Sequence, residues 1–391
     1  MNQPLESYQD EIYLNGLNGA VPVLPASLTA LEDLAAERMA AESFAYIRGG
    51  AGSEDTVREN AAAFRRWRIV PRMLTDVSAP AFGSTVLGTR LAAPMLLGPI
   101  GVLKLAHPDG EVAVARAAAS AGVPMVLSTA SSVAMEEVAQ ANGDGQRWYQ
   151  LYWPKDRDVA ASLLSRAKAA GFTVLVLTLD TRLLGWRPRD LDRAFLPFIR
   201  GIGVQNYFSD PAFQAGLAGQ TDQGAWITHW VQMFGDPSLT WDDLPFLREN
   251  WDGPVVLKGI QSVADAQRAA DAGMDGIVVS NHGGRQVDGG IGALDALPEI
   301  AEAVGSALTV LFDSGVRGGA DIIKAVALGA KAVLIGRPYA YGLGLAGQDG
   351  VRHVLRALRN DFELTMRLSG FASLADLSPG VLARRWTSAS G

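Results

Sequence analysis

The chain has 391 residues, of which 48% are apolar and 19% charged, enough for one large α/β domain with an added segment and too apolar for global disorder. A net charge of −7 argues against a nucleic-acid binder, whose usual footprint is basic. The absence of cysteine excludes disulfides and thiolate catalysis, and four histidines (His107, His229, His282, His353) do not make a histidine-rich metal site, so no metal is expected.

The opening stretch MNQPLESYQDEIYLNG has no basic n-region and no apolar h-region. No apolar run reaches membrane-spanning length. A cytoplasmic protein without a membrane span is expected. Residues 1–90 read as an N-terminal helical extension, carried by stretches such as LTALEDLAAERMAAESFAYIRG. The body, 91–375, repeats one pattern. An alanine-rich amphipathic stretch closes near a glycine and an apolar strand follows, as in ARAAASAG before VPMVLST and SRAKAAG before FTVLVLTLD. The pattern returns in AQRAADAG before MDGIVVSN and in IKAVALGA before KAVLIGR. Glycine takes the left-handed helix cap cheaply, and continuous Val/Ile/Leu runs suit strands covered on both faces.

Eight strands are predicted in this way: Pro94–Ile100, Pro124–Ala130, Arg147–Trp153, Thr173–Asp180, Pro254–Gly259, Gly276–His282, Leu308–Gly315 and Ala332–Arg337. Eight helix-and-strand units predict a closed (β/α)8 TIM barrel. Between the fourth and fifth strands, 181–253 is too long for an ordinary connection and predicts a lid insertion, either folded or partly disordered. The amphipathic GVRHVLRALRNDFELTMRL fits the last barrel helix, and 376–391 is a C-terminal tail.

Barrel chemistry sits at the C-terminal ends of strands. Here those ends carry GPIG, Ser128, Gln150 with Tyr152, Thr178 with Asp180, Lys258, Ser280-Asn281-His282, Asp313-Ser314-Gly315 and Gly336-Arg337. Strand ends meet water and turns, which explains many of these residues. It does not explain a lysine, a histidine and a glutamine inside apolar runs. DSGVRGG (Asp313–Gly319) and IGR (Ile335–Arg337) bring glycine amides, a helix N-terminus and arginine together, which suits a phosphate of a substrate or a cofactor. In SNHGGRQVDGG, His282 can act as a general base near neutral pH. Gly283 and Gly284 let a flat ligand approach the backbone. Arg285 offers a fork of donors to a carboxylate, and Asp180 can orient the imidazole and stabilise its protonated form.

These motifs resemble those of the FMN-dependent α-hydroxy acid oxidases and dehydrogenases. The resemblance rests on SNHGGRQ after GIVV, FAYIRGGAGSEDT, RWRIVPRML, HPDGE, QLYWPKDR, LTLDT, LKGI, FDSGVR and IGRP, and so spans nearly the whole chain. Within that family, GPIGV, GWRPRDL and NYFSDPAF are most similar to lactate 2-monooxygenase. The resemblance implies that His282 takes the hydroxyl proton while hydrogen leaves Cα for the flavin. It implies that Asp180 stabilises the imidazolium and that Arg187 and Arg285 clamp the substrate carboxylate. Tyr46 and Tyr152 would hydrogen-bond the substrate. FMN would be held by Pro99, Ile100, Gly101, Ser128, Gln150, Thr178, Lys258 and Ser280. Its phosphate would sit on Asp313, Ser314, Gly315, Val316, Arg317, Gly336 and Arg337. A fixed cation at Lys258 would stabilise the negative charge of reduced flavin.

The expected activity is oxidation of a small, lactate-like L-2-hydroxy acid with O2 as acceptor. If a slow-opening lid retains the product, oxidative decarboxylation follows, as in lactate 2-monooxygenase. Gly101 is expected to leave more room near the flavin than alanine would. Ala130 stands where glycolate oxidase has Trp, which keeps larger or aromatic acids, mandelate-like, open. Dehydrogenase activity is an alternative. From other classes stand a flavin-free phosphate-binding barrel acting as a lyase or isomerase, and a catalytically inert flavoprotein serving as a binding module. The resemblance also implies a homotetramer or larger assembly.

Overall fold

A computed structural model describes residues 7–384. Eight parallel strands close into a barrel: β1 (Met95–Leu97), β2 (Met125–Ser128), β3 (Arg147–Leu151), β4 (Leu175–Thr178), β5 (Val255–Ile260), β6 (Gly276–Val279), β7 (Thr309–Phe312) and β8 (Ala332–Ile335). Each pairs with its neighbour in sequence, and β8 closes on β1 with Leu334 opposite Leu96. The strands are shorter than the predicted runs, because residues such as Ile100, Asp180, His282 and Gly315 leave the ladder to form the mouth. The helix-closing glycines behave as expected: Gly122, Gly171, Gly273 and Gly329 all have positive φ, from +63° to +112°.

Leu96, Val126, Trp148, Val176, Val256, Val278, Leu311 and Leu334, one from each strand, form a buried cluster that fills the barrel interior. An antiparallel hairpin, Ser84–Val86 with Thr89–Leu91, adds Val86 and Leu91 to that cluster. Thr89 accepts a 2.8 Å hydrogen bond from the Trp148 indole. One end of the barrel is thereby plugged, and the C-terminal ends of the strands form the open end.

The predicted stretch from Leu28 divides into two helices, Leu28–Arg38 and Ala41–Arg48, because Met39 is extended, with ψ of 153°. The second carries Tyr46 to the mouth. After it, Glu54 receives Arg48 at 2.6 Å and a two-pronged contact from Arg189 at 2.6 and 3.1 Å. Burial opposes the Glu54 charge, but these partners and the Gly50 amide hold its pKa at about 2. The insertion after β4 carries short helices between Pro188 and Asn250. Its short helices enclose Phe198, Tyr207, Phe213 and Trp230, each at most 5% exposed. The last helix begins directly after β8 and runs Arg337–Leu368 with a kink at Ala346-Gly347, earlier than GVRHVL suggests. Of the C-terminal tail, Leu382–Arg384 pairs antiparallel with Trp67–Ile69, and 385–391 lie outside the described residues.

Candidate active site

Strand parity builds the site. Side chains two residues apart share a face of a strand. Two residues beyond the apolar interior layer come Gly98, Ser128, Gln150, Thr178, Lys258, Ser280, Asp313 and Gly336, the small and polar layer above the core. Two residues further again come Tyr152, Asp180 and His282. The polar layer is wired around the barrel. Gln150 accepts from Ser128 Oγ at 3.0 Å and donates to Thr178 Oγ1 at 2.9 Å. Lys258 Nζ donates to Ser280 Oγ at 2.9 Å and pairs with Asp313 at 3.2 Å. Burial opposes the lysine charge, yet Asp313 and Asp180 raise its pKa.

Above this layer, His282 Nδ1 lies 2.8 Å from Asp180 Oδ1. Burial pushes the Asp180 pKa up, but His282 and Lys258 outweigh it and leave the carboxyl at about 2. An ionised carboxylate only accepts, so Nδ1 carries the proton and the lone pair sits on Nε2. For the imidazole the balance is reversed. Burial lowers its pKa and Asp180 does not fully restore it. The ring is therefore neutral at physiological pH, the state a base requires. Tyr152 Oη stands 3.5 Å from Nε2, a loose contact that a ligand hydroxyl can displace. Burial pushes the tyrosine pKa to about 12, so it remains a hydrogen-bond donor. Gly259, at φ +108°, permits this packing: a Cβ there would fall 2.9 Å from Asp180 Oδ2.

Two guanidiniums face the same space. Arg285 Nη1 donates to the carbonyls of Tyr46 and Gly49 at 2.7 and 2.6 Å, and the group lies over the Tyr46 ring at 5.1 Å. Arg187 Nε donates to the Arg285 carbonyl at 3.0 Å, and its Nη2 to Gln286 at 2.7 Å. Among the described residues neither arginine has a carboxylate within 4.0 Å. Burial, with the Arg187 charge beside it, lowers the Arg285 pKa to about 9, still cationic at pH 7. Asp190 acts on both from beyond 4.0 Å, with its own pKa raised by burial, and a ligand anion would relieve the remaining cost of shielding two cations.

The groove continues to β7 and β8, with about 1110 Å³ of space between protein atoms, part of it open to solvent. Its walls include Tyr46, Pro99, Ile100, Gly101, Tyr152, Arg187, His282, Arg285, Lys258, Asp313–Arg317, Gly336 and Arg337. Asp180, Ser128, Gln150, Thr178 and Ser280 lie behind that wall as supports. Gly336 has open space where a Cβ would be. The Arg337 side chain is turned to protein: its three nitrogens donate to the carbonyls of Ile47, Gly283 and Gly49 at 2.9–3.0 Å. It brings charge to the groove while tying the N-terminal extension to the His282 turn. A groove that seeks an anion and is lined by Gly98, Gly101, Gly315 and Gly336 and by buried Lys258 fits a phosphate-bearing flavin.

Some functional residues escape sequence reasoning. Thr181 Oγ1 donates to Asp180 Oδ1 at 3.0 Å. Gln286, the last letter of SNHGGRQ, donates to the carbonyls of Asp180 and Leu183 and receives Arg187. Asp288 accepts from the Ser53, Asp55 and Thr56 amides, capping the helix Asp55–Arg65 from a distant loop. Phe234 lines the groove beside Tyr152, with ring centroids 5.6 Å apart. Gln286, Thr181 and Asp288 carried a local signal in their places in SNHGGRQVDGG and LTLDT, and Phe234 had none. At Gly101 an added Cβ would meet Ala130 Cβ and O at 2.7 Å, so the glycine lets these two loops of the groove wall approach closely.

The closed barrel and the groove at its mouth point to a flavin oxidoreductase. The chain belongs to the FMN-dependent dehydrogenase family, whose sequence profile matches residues 35–384. It is 47% identical to an FMN-dependent alpha-hydroxy acid dehydrogenase of Penicillium citrinum, covering 97% of this chain and 96% of that one. It is 41% identical to an L-lactate oxidase of Lysinibacillus sphaericus, over 94% and 95% of the two chains. The crystal structure of mandelate oxidase with (S)-4-hydroxymandelic acid superposes with a TM-score of 0.82 at 41% identity, covering 92% of this chain and 98% of that one. The protein is an FMN-dependent enzyme of α-hydroxy acid oxidation, and the flavin-free lyase or isomerase reading finds no support. Among the described residues no helix is long and apolar enough to cross a membrane.

Proposed function

We propose that this enzyme oxidises an L-2-hydroxy acid with an apolar side chain to the 2-keto acid, with O2 as final acceptor. The observation that carries this reading is the His282 imidazole, held through Nδ1 by Asp180, in one groove with two guanidiniums that have no carboxylate within 4.0 Å among the described residues. Arg285, through Nε and Nη2, and Arg187, through Nη1, are the donors left for the substrate carboxylate. That grip places the substrate hydroxyl at His282 Nε2, where Tyr152 donates to it. His282 takes the hydroxyl proton, and Asp180 stabilises the resulting imidazolium. FMN, when bound, supplies the two-electron acceptor for the hydrogen leaving Cα. Lys258 is placed to balance negative charge gained in that step. Ser128, Gln150, Thr178 and Ser280 support the cofactor wall, and the backbone of Asp313–Arg317 and of Gly336-Arg337 receives the phosphate, with the Ser314 hydroxyl and the Arg337 side chain turned to protein.

The side-chain end is lined by Ala130, Leu184, Phe198 and Phe234. Those groups receive methyl, branched or aryl substituents, so lactate-like and mandelate-like acids are both candidates. The likeness to an L-lactate oxidase supports the first and that to mandelate oxidase the second. The packed insertion over this end is the proposed lid, and slow opening would permit oxidative decarboxylation. We also propose a cytoplasmic homotetramer or larger assembly. The test is aerobic turnover of L-lactate and L-mandelate with products identified. Keto acid with peroxide supports an oxidase, acetate from lactate supports the monooxygenase outcome, and no consumption of any L-2-hydroxy acid refutes the reading.

A further inference from the structure

His282, Gly283 and Gly284 are consecutive residues in the left-handed region, with φ of +58°, +65° and +73°. For the two glycines this is free; for histidine it is not. At the end of the next strand, Ser314 is also left-handed, at φ +82°, and Gly315 follows at +99°. Glycine would be the default residue at position 314. A serine retained there against backbone strain calls for a reason in its side chain.

Its hydroxyl is fully used by protein partners. Ser314 Oγ accepts from the Gly283 amide at 3.0 Å and the Asn281 amide at 3.3 Å, and donates to Asp313 Oδ1 at 2.8 Å. One donor and two acceptors exhaust a hydroxyl. The amide between those two, that of His282, donates to Ser280 Oγ at 3.0 Å. Ser280 Oγ receives Lys258 Nζ, and Lys258 pairs with Asp313. The result is a closed ring: Ser314, Asp313, Lys258, Ser280 and the His282 turn. Asn281 adds a brace, its Oδ1 accepting from Gly284 and from Asn60 of the N-terminal extension.

We propose that Ser314 is a positioning residue: its hydroxyl holds the strained His282 turn to the glycine loop after β7, so that the loop expected to receive the cofactor phosphate and the base share one rigid frame. This rests on the reading of His282 as the base. It assigns the serine hydroxyl to placement of the imidazole rather than to the cofactor.

The test compares Ser314→Gly, which removes the hydroxyl and the strain together, with Ser314→Ala, which removes the hydroxyl alone. Glycine accepts φ +82°, so the first variant folds even if the second does not. FMN-loaded protein is mixed anaerobically with L-lactate and L-mandelate and the flavin band is followed. Both variants are expected to keep FMN per chain and the half-saturating acid concentration, while flavin reduction slows about tenfold as the three hydrogen bonds of the hydroxyl are lost. A crystal structure of Ser314→Gly without substrate should show the His282 turn displaced and the Nδ1 to Asp180 contact lengthened. Wild-type reduction rates per bound flavin with an undisturbed turn would overturn the proposal. His282→Ala in the same assay separates the two ideas. If it too reduces flavin at wild-type speed, the base assignment fails. If it is inert while Ser314→Gly is unimpaired, only the role of Ser314 falls.

Discussion

The glycine end of the groove, at β7 and β8, is made of backbone that follows directly from two adjacent strands. The imidazole end is made of side chains from segments far apart in the chain: Tyr46 from the extension, Arg187 from the insertion, Asp180 after β4 and His282 with Arg285 after β6. The first needs only short turns and residues that tolerate positive φ, such as Gly315. The second depends on anchors outside it, Glu54 on Arg189, Gln286 on Arg187 and Asp288 on the helix Asp55–Arg65, which packs against the His282 turn. A cofactor shared by a family needs a constant seat, whereas a substrate end gathered from loops is free to vary.

That contrast can be broken by substitution. The largest effect is expected at His282→Ala: kcat falls by roughly 10²–10⁴-fold while the protein remains yellow with FMN. Loss of bound FMN with normal turnover per flavin would erase the distinction between the two ends. Asp180→Asn comes next. It removes the charge that raises the imidazole pKa, so the acid limb of the kcat/KM profile moves to lower pH. At the same time kcat drops, on the order of tenfold or more, because the imidazolium loses its partner. A pH–rate profile that keeps its limb in place would show that Asp180 does not set the base.

Arg285→Lys should raise KM for the hydroxy acid by about 10- to 100-fold with FMN content unchanged, since a point charge cannot replace a guanidinium edge. Steady-state kinetics on L-lactate and L-mandelate decide it, and an unaltered KM would remove Arg285 from the clamp. The smallest change is expected from Gly101→Ala. Its Cβ would press on Ala130, at a cost of about 1–3 kcal/mol read as a lower Tm by calorimetry. An unshifted Tm would mean that the two loops part without cost.

Legibility in the sequence followed the same divide. Gln150, Lys258, Ser280 and Asp313 could be found because each lies at a fixed parity beyond an apolar strand, and the strands are continuous. His282 and Arg285 stood in one short motif. Tyr46 and Arg187 had no local signal, since a helix-face tyrosine and a loop arginine are ordinary. Only the family resemblance pointed to them. Predicted strand ends overrun the ladder because the mouth residues, Asp180 and His282 among them, follow the strand directly and keep its two-residue parity. The side-chain hydrogen bonds of Ser314 and Arg337 were invisible, since both were read from glycine-rich loops suited to a phosphate. Their side chains serve packing between loops that the sequence does not show to be neighbours.

The central claim, that a neutral His282 takes a proton from an acid gripped by Arg187 and Arg285, is tested most directly by anaerobic mixing. Wild-type and His282→Ala proteins, both loaded with FMN, are mixed with L-lactate or L-mandelate and the yellow band is recorded. The wild type should bleach within its turnover time and the variant stay yellow for at least about a hundredfold longer. Bleaching of the variant at the wild-type rate would contradict the account.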